Sequence, residues 1–262
     1  MWKLIFFQPL VNALIFFYQV LGQNLGLAII GLTAVIRGAL NPLTAPSIKS
    51  AQKLKELQPE LAKLKEKYGQ DRQAFAQAQL KFYQKEGVNP AAGCLPQIVQ
   101  IVILIALFQA FNQVLQNGGN VVDSLNQLLY QPLKLAADAT INSKFFYLDL
   151  TRPDLIPVPQ VNLGPIKFSS LPGPFLIAAA IIQFFSSRLM LTATKGTQAK
   201  AKKTEAKSDD IAAAMQEQML YLFPIMTLFV GLRFPSGLVL YWLTFSIFML
   251  IQQMRLKNGQ KN

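Results

Sequence analysis

The sequence contains no histidine and a single cysteine, Cys94. Histidine-based catalysis and histidine-ligated metal sites are therefore excluded, and no disulfide can form within the chain because Cys94 has no second cysteine to pair with. Charged residues are also scarce, at 15% of the 262 residues, whereas a soluble domain carries about a quarter. These shortages exclude a disulfide scaffold and favour a membrane protein.

Apolar residues make up 52% of the chain and cluster into long runs. Each run is near the roughly 20 residues that are needed to cross about 30 Å of hydrocarbon. We therefore predict an all-α, polytopic membrane protein with five transmembrane helices. The predicted spans are 25–43, 94–115, 174–191, 218–232 and 235–253.

The first 24 residues are apolar on one side and polar on the other. At 100° per residue, the polar side chains fall within an arc of about 60°. They are Gln8, Asn12, Gln19 and Gln23. Such a stripe is typical of a helix in the membrane interface, and we predict that structure for 1–24, on the outer side. An uncleaved signal anchor and a sixth span stay open as alternatives.

Lysine and arginine are unevenly distributed between the segments that join the spans. Residues 44–93, 188–217 and the tail 254–262 hold 18 of them, whereas the other side holds six. The positive-inside rule therefore places the hairpin segment 44–93, the loop 192–217 and the C-terminus in the cytoplasm. The N-terminus and the segment 116–173 are then expected outside.

The joining segments differ in character. Apolar residues three and four apart from Ile48 to Tyr68 predict an amphipathic helix, and a second follows from about Arg72 to Lys85. The pair predicts a cytoplasmic helical hairpin. The loop 192–217 is polar and low in complexity, which predicts flexibility. The external segment 116–173 is rich in Asn, Pro and Gly, and an irregular cap with short helices is expected there.

Arg37 lies in the interior of the first predicted span, where a charge costs from about 2.5 to well over 10 kcal/mol. No Asp or Glu lies within the five predicted spans, so no ion pair can offset this cost. Arg37 is therefore expected to face a hydrated cavity and keep its charge. The alternative is that it extends to the cytoplasmic end of the span, about 9 Å away.

Polar and aromatic residues on several spans are candidates to line the same cavity. Thr33 lies one turn before Arg37. The others are Gln97, Gln100, Gln183, Tyr241 and Trp242. Ordinary hydrogen bonds between helices, each worth under about 2 kcal/mol, are the alternative explanation of these residues.

Three segments resemble the YidC/Oxa1/Alb3 family of membrane-protein insertases. They are LTAVIRGALNPLT around Arg37, NPAAGCLPQIVQ from Asn89 to Gln100, and FPSGLVLYW from Phe234 to Trp242. The resemblance implies five helices around a hydrophilic groove that is open to the cytoplasm and to lipid but closed to the outside. Arg37, Thr33 and Trp242 match groove positions of the family, and Gln183 matches one more weakly.

The resemblance also implies a function. The chain is expected to move short polar tails through the groove, to release transmembrane segments sideways into the bilayer and to assist their folding. It is then not an enzyme, and no catalytic residue, cofactor or metal is expected. The implied partners are nascent membrane proteins and lipid, with the Sec translocon and the ribosome as further candidates. No sequence-specific binding of nucleic acid is expected. A monomer in the bacterial plasma membrane is the expected form.

Two other classes fit parts of the sequence. An anion channel or transporter would use Arg37 as its selectivity charge. A scaffold that binds ribosomes or lipid would need no charge within a span. The cytoplasmic hairpin at 44–93 argues against a simple pore, and Arg37 argues against an inert scaffold.

Overall fold

The computed structural model describes residues 1–68, 71–88, 95–116, 121–163, 166–191 and 221–259. The predicted flexible loop 192–217 and Cys94 fall outside the described residues. The chain divides into two compact units. Unit 1 comprises Met1–Ala39, Gln100–Gln183 and Pro224–Met249, and unit 2 comprises Leu40–Val99, Phe184–Phe223 and Leu250–Asn262.

The described residues are mostly helical, which agrees with the predicted class. A π-helical turn at Lys3–Phe7 leads into the first helix. The helices are α1 (Gln8–Val20), α2 (Leu25–Glu56), α3 (Gln58–Tyr68), α4 (Arg72–Lys85), α5 (Leu95–Gln116), α6 (Val121–Asn126), α7 (Pro174–Leu191), α8 (Tyr221–Gly231) and α9 (Ser236–Gly259).

Three helical segments among the described residues are long and apolar enough to cross a membrane. They are Lys3–Val20, Leu25–Pro42 and Ser236–Arg255. Shorter apolar stretches lie at Val99–Ala110, Pro174–Leu189 and Tyr221–Gly231. The chain therefore has the apolar helices of a membrane protein, and the number that cross the bilayer stays a prediction.

Helix α2 continues well beyond the predicted span 25–43. Pro42 and Pro46 lie inside it, and it ends at Glu56. The second residue of α3 is Pro59, which is tolerated there because the first turn of a helix does not use its amide hydrogens. The predicted helix from Ile48 to Tyr68 is thus divided between α2 and α3. In unit 2, α3 packs against α4.

Two antiparallel β-hairpins lie in the segment 116–173, which was expected to be external and to hold only irregular structure and short helices. Strands β1 (Lys144–Phe145) and β2 (Leu148–Asp149) form the first hairpin, and β3 (Leu155–Leu163) and β4 (Ile166–Pro172) form the second. The β3–β4 register is irregular between Pro157 and Val161. A two-stranded ribbon tolerates prolines because both strands are edges.

Three side chains of the polar stripe hydrogen-bond to the protein, although Gln19 and Gln23 are exposed. Asn12 is buried, its Nδ2 donates to the Leu128 carbonyl at 2.9 Å, and its Oδ1 accepts from the Tyr130 amide at 2.7 Å. Gln8 Nε2 also donates to the Leu128 carbonyl, and Gln19 Nε2 donates to Leu133. The stripe therefore has a structural reason that the sequence analysis did not foresee. Whether 1–24 lies in the interface stays a prediction.

Residues 142–154 cap the first turns of three apolar helices in unit 1. The Leu25 amide at the start of α2 donates to the Asn142 carbonyl at 3.2 Å. The Ser236 amide at the start of α9 donates to Arg152, and the Leu176 amide in α7 donates to the Asp154 carboxylate at 2.9 Å. The first amides of a helix lack partners within it, so these bonds fix where each helix begins.

Asp149 holds this capping segment together. Burial alone would raise the pKa of its carboxyl, but hydrogen bonds from the Thr151 hydroxyl and amide, from Lys144 and from Ser143 lower that pKa to about 2. Its backbone carbonyl accepts from the Ser236 hydroxyl at 2.9 Å. Because of this low pKa, the Asp149 carboxyl is ionised at physiological pH. Its backbone carbonyl connects the β1–β2 hairpin to the start of α9.

Candidate functional site

Arg37 is part-buried on α2 and interacts with two other helices of unit 1. Its guanidinium Nη2 donates to the side-chain oxygen of Gln100 on α5. Its Cζ lies 3.7 Å from the centroid of the Phe245 ring on α9. A cation over an aromatic face gains about 2 kcal/mol or more when it is desolvated. Arg37 is therefore held by an amide oxygen and a ring.

Gln100 connects Arg37 to Tyr241. While its oxygen accepts from the guanidinium, its Nε2 donates to the Tyr241 hydroxyl at 2.7 Å, and both side chains are buried. An amide suits this position because it has an acceptor for the cation and a donor for the hydroxyl. Three of the predicted groove residues, Arg37, Gln100 and Tyr241, thus form one network.

No negative side chain offsets the charge of Arg37 within its own or the other apolar helices. Helices α5, α7, α8 and α9 contain no Asp or Glu, and the first acid of α2 is Glu56 at its end. A guanidinium has five N–H donors, and the two neighbouring oxygens of Gln100 and Tyr241 cannot occupy all of them. Some of its donors are therefore left over after these two oxygens.

Phe245 is the site residue that the sequence analysis missed. It is one turn after Tyr241 on α9, and the two rings lie 6.3 Å apart. An apolar residue in an apolar helix carries no signal by itself. The sequence did contain an indirect signal. A cation in an apolar helix, with no carboxylate in the neighbouring helices, is expected to pack against an aromatic ring.

The hydroxyl of Thr33 is used within α2. Thr33 is buried, and its Oγ1 donates to the Ile29 carbonyl one turn earlier at 2.6 Å. Threonines in helices commonly form this bond. The structure thus places Thr33 one turn from Arg37, as predicted, but records no hydrogen bond between them.

The hydrogen bond of Gln183 joins α7 to α8. Its Oε1 accepts from the Thr227 hydroxyl at 2.5 Å. This is the kind of contact between helices that the sequence analysis kept as the alternative explanation of polar residues. A groove role for Gln183 stays a prediction.

Two predicted residues remain, Trp242 and Gln97, and only the side chain of Trp242 is described. Trp242 is half-buried, and its ring lies 6.5 Å from that of Phe234, which in turn lies 5.2 Å from Phe108. Gln97 lies in α5, but its side chain is outside the described part of the chain. Among the described residues, no group of three or more metal-ligating side chains could hold a metal ion.

Comparison with known proteins agrees with the resemblance. Residues 16–262 match the family model described as 60Kd inner membrane protein. Membrane protein insertase YidC 2 of Bacillus anthracis is 31% identical, over 99% of this chain and 82% of that protein. Membrane protein insertase YidC of Fusobacterium nucleatum is 34% identical, over 88% of this chain and 84% of that protein.

A longer relative is matched only in part. Membrane protein insertase YidC of Pelobacter propionicus is 34% identical over 97% of this chain, but the chain spans only 38% of its length. The family model, in contrast, covers most of this chain, and the shorter relatives are matched over more than four fifths of their length. The chain therefore belongs to the YidC/Oxa1/Alb3 family of membrane protein insertases.

Proposed function

We propose that the chain inserts membrane proteins by drawing the polar tail of a substrate into a hydrophilic groove at Arg37. The observation that carries this proposal is the environment of that residue. An amide oxygen and an aromatic ring hold the guanidinium. Helices α5 and α9 contain no Asp or Glu, and the first acid of α2 is Glu56 at its C-terminal end. The cation is therefore stabilised without being neutralised, and it can attract an acidic or polar tail.

The energetics of the two parts of a substrate differ. The polar tail must cross about 30 Å of hydrocarbon, and a groove that brings water and a fixed charge part-way shortens this path. Attraction to Arg37 is stronger in the groove than in water because the dielectric constant is lower there. The apolar part then moves sideways into lipid, which gains about 25 cal/mol for each Å² buried. No covalent step is required.

The proposal includes five spans around the groove, at 25–43, 94–115, 174–191, 218–232 and 235–253. The N-terminus is outside and the C-terminus is in the cytoplasm, as the 18 cytoplasmic and six external basic residues indicate. The groove lining is Arg37, Thr33, Gln97, Gln100, Gln183, Tyr241 and Trp242. The chain works as a monomer in a bacterial plasma membrane, with the Sec translocon and the ribosome as partners.

The function is tested by reconstitution into vesicles. The purified chain should carry the external tail of a single-span substrate into the lumen, where a protease cannot reach it. Protection must exceed that in empty vesicles. If the chain gives no protection but conducts chloride, the anion channel is the correct function and the insertase proposal is wrong.

Helices α3 and α4 are proposed to receive substrates in the cytoplasm. In unit 2, Asp71 caps α4 by accepting from the amides of Gln73 and Ala74, and Leu80 on α4 is exposed. Lys53 Nζ on α2 donates to the Glu86 carbonyl just after α4, so the end of α4 lies within reach of a side chain near the end of α2. The pair can thus be removed with a short connection and little disturbance of α2.

Replacing Gln58–Lys85 by a short Gly/Ser linker should slow insertion several-fold and leave a folded, membrane-embedded chain. The reason is that substrates would lose the exposed apolar surface on which they first bind. Insertion is measured in the same vesicles, and the matched control replaces the segment by a Gly/Ser linker of equal length. Unchanged insertion by the shortened chain would show that α3 and α4 do not receive substrates.

A further inference from the structure

The turn between β1 and β2 consists of two aromatic residues, Phe146 and Tyr147, which we call the aromatic turn. Phe146 has a φ of +51°, in the left-handed region that bulky side chains rarely adopt. Its side chain is also 84% exposed. Asn, Asp or Gly usually occupies such a turn position. A strained and exposed phenylalanine is doubly unfavourable in water, which indicates that something other than water covers it.

The aromatic turn is fixed to the start of α7. The Tyr147 hydroxyl donates to Asp154 Oδ1 at 3.0 Å and accepts from the Phe175 amide at 3.3 Å. The Phe146 ring centroid lies 4.8 Å from that of Phe145 and 6.3 Å from that of Phe175. Tyr147 is thus held by hydrogen bonds, whereas Phe146 packs on its neighbours by one side only.

The position of the turn relative to the apolar helices is known from hydrogen bonds. Residues 142–154, which include the turn, cap the first amides of α2, α7 and α9. If those helices cross the bilayer, as in the proposed function, the turn lies at the level where they leave the hydrocarbon. Aromatic side chains are enriched at this level of membrane proteins because their rings fit the headgroup region.

The residues beside the turn suit a phospholipid surface. Lys144 and Arg152 are 73% and 82% exposed, and both lie within 4.0 Å of Asp149. The carboxylates nearby, Asp149 and Asp154, are 24% and 2% exposed, so the two cations are the charges that can meet lipid phosphates. Just before α7, Ile156 and Leu171 are directly opposite on β3 and β4, and both are exposed.

We propose that the aromatic turn is a membrane anchor that inserts into the headgroup region of the outer leaflet, with phospholipid as its partner. The Phe146 ring lies against the upper acyl chains, and Lys144 and Arg152 contact lipid phosphates. The proposal rests on the spans of the proposed function, since those spans set the level of the turn.

The depth of Phe146 can be measured with a spin label. Cys94 is the only cysteine, so Cys94→Ser gives a background in which Phe146→Cys is labelled alone. The full chain is placed in vesicles of phosphatidylethanolamine and phosphatidylglycerol. Collision with oxygen, which concentrates in lipid, is compared with collision with a water-soluble nickel complex. Phe229→Cys on α8 is the lipid reference and Gln84→Cys on α4 the aqueous reference, since both side chains are exposed.

The anchor predicts an oxygen-to-nickel ratio at Phe146 several-fold above that at Gln84 and closer to that at Phe229. A ratio equal to that at Gln84, with Phe229 still in lipid, would overturn the anchor and leave the proposed spans intact. Water-like ratios at both Phe146 and Phe229 would overturn the spans together with the anchor.

Discussion

Replacing Arg37 by alanine is expected to slow the insertion of acidic-tailed substrates by about 10- to 100-fold, because a hydrogen bond to a charged group contributes about 1.5–3 kcal/mol. Substrates with neutral tails should be affected much less. The selective loss follows from the geometry, in which a neutral amide and a ring hold the cation and the described apolar helices supply no carboxylate beside it. Protease protection of both substrates, measured in parallel, gives the ratio of rates.

Gln100→Glu is the matched variant. It keeps Arg37 and the size of the side chain at position 100, but it places a carboxylate against the guanidinium. The resulting ion pair should reduce the preference for acidic tails nearly as much as Arg37→Ala does. If acidic and neutral tails respond equally to Arg37→Ala, Arg37 has a structural role only.

The second large effect is expected at Asp154, which is only 2% exposed. Asp154→Ala should lower the free energy of unfolding by about 2–4 kcal/mol, since it leaves a buried amide without an acceptor and removes a negative charge from a helix N-terminus. The amide is that of Leu176, which packs with Ala179 and Val239 in a hydrophobic cluster. Thermal unfolding in detergent measures the loss.

Two further variants separate the causes. Tyr147→Phe removes only the hydroxyl that donates to Asp154, so its effect should be near 1 kcal/mol. Asp138→Ala removes an exposed acid of the same segment, 116–173, and should change stability little. If Asp154→Ala unfolds at the same temperature as Asp138→Ala, the Asp154 cap does not stabilise α7.

Hydropathy alone predicted the apolar helices because the bilayer requires long apolar runs, whatever the contacts within the protein. It also identified Arg37, since a charge in such a run is conspicuous. The pairing of Arg37 with Gln100 and Tyr241 could not be read from the sequence, because it depends on which faces of three helices meet.

Other features depend on contacts between distant residues. The longer β-hairpin was not predicted because its strand β3 contains prolines at 157 and 159, which usually argue against a strand. Proline is tolerated in edge strands, and both strands of a two-stranded ribbon are edges. The partners of Asn12 lie more than a hundred positions away, so the sequence could not show that its side chain binds the protein, and the stripe predicted only an interfacial helix. The continuation of α2 through Pro42 and Pro46 to Glu56 could not be predicted either, because proline usually interrupts a helix.

In the proposed function the positive charge of Arg37 binds the substrate tail, and exchanging that charge for a negative one is the sharpest test of this binding. Wild type and Arg37→Glu are reconstituted at equal density, and each is offered the same single-span substrate with an acidic or a basic tail. We expect wild type to protect the acidic tail better and Arg37→Glu to protect the basic tail better. If Arg37→Glu is embedded in the vesicles but loses both substrates to the same extent, the charge of Arg37 does not bind the tail.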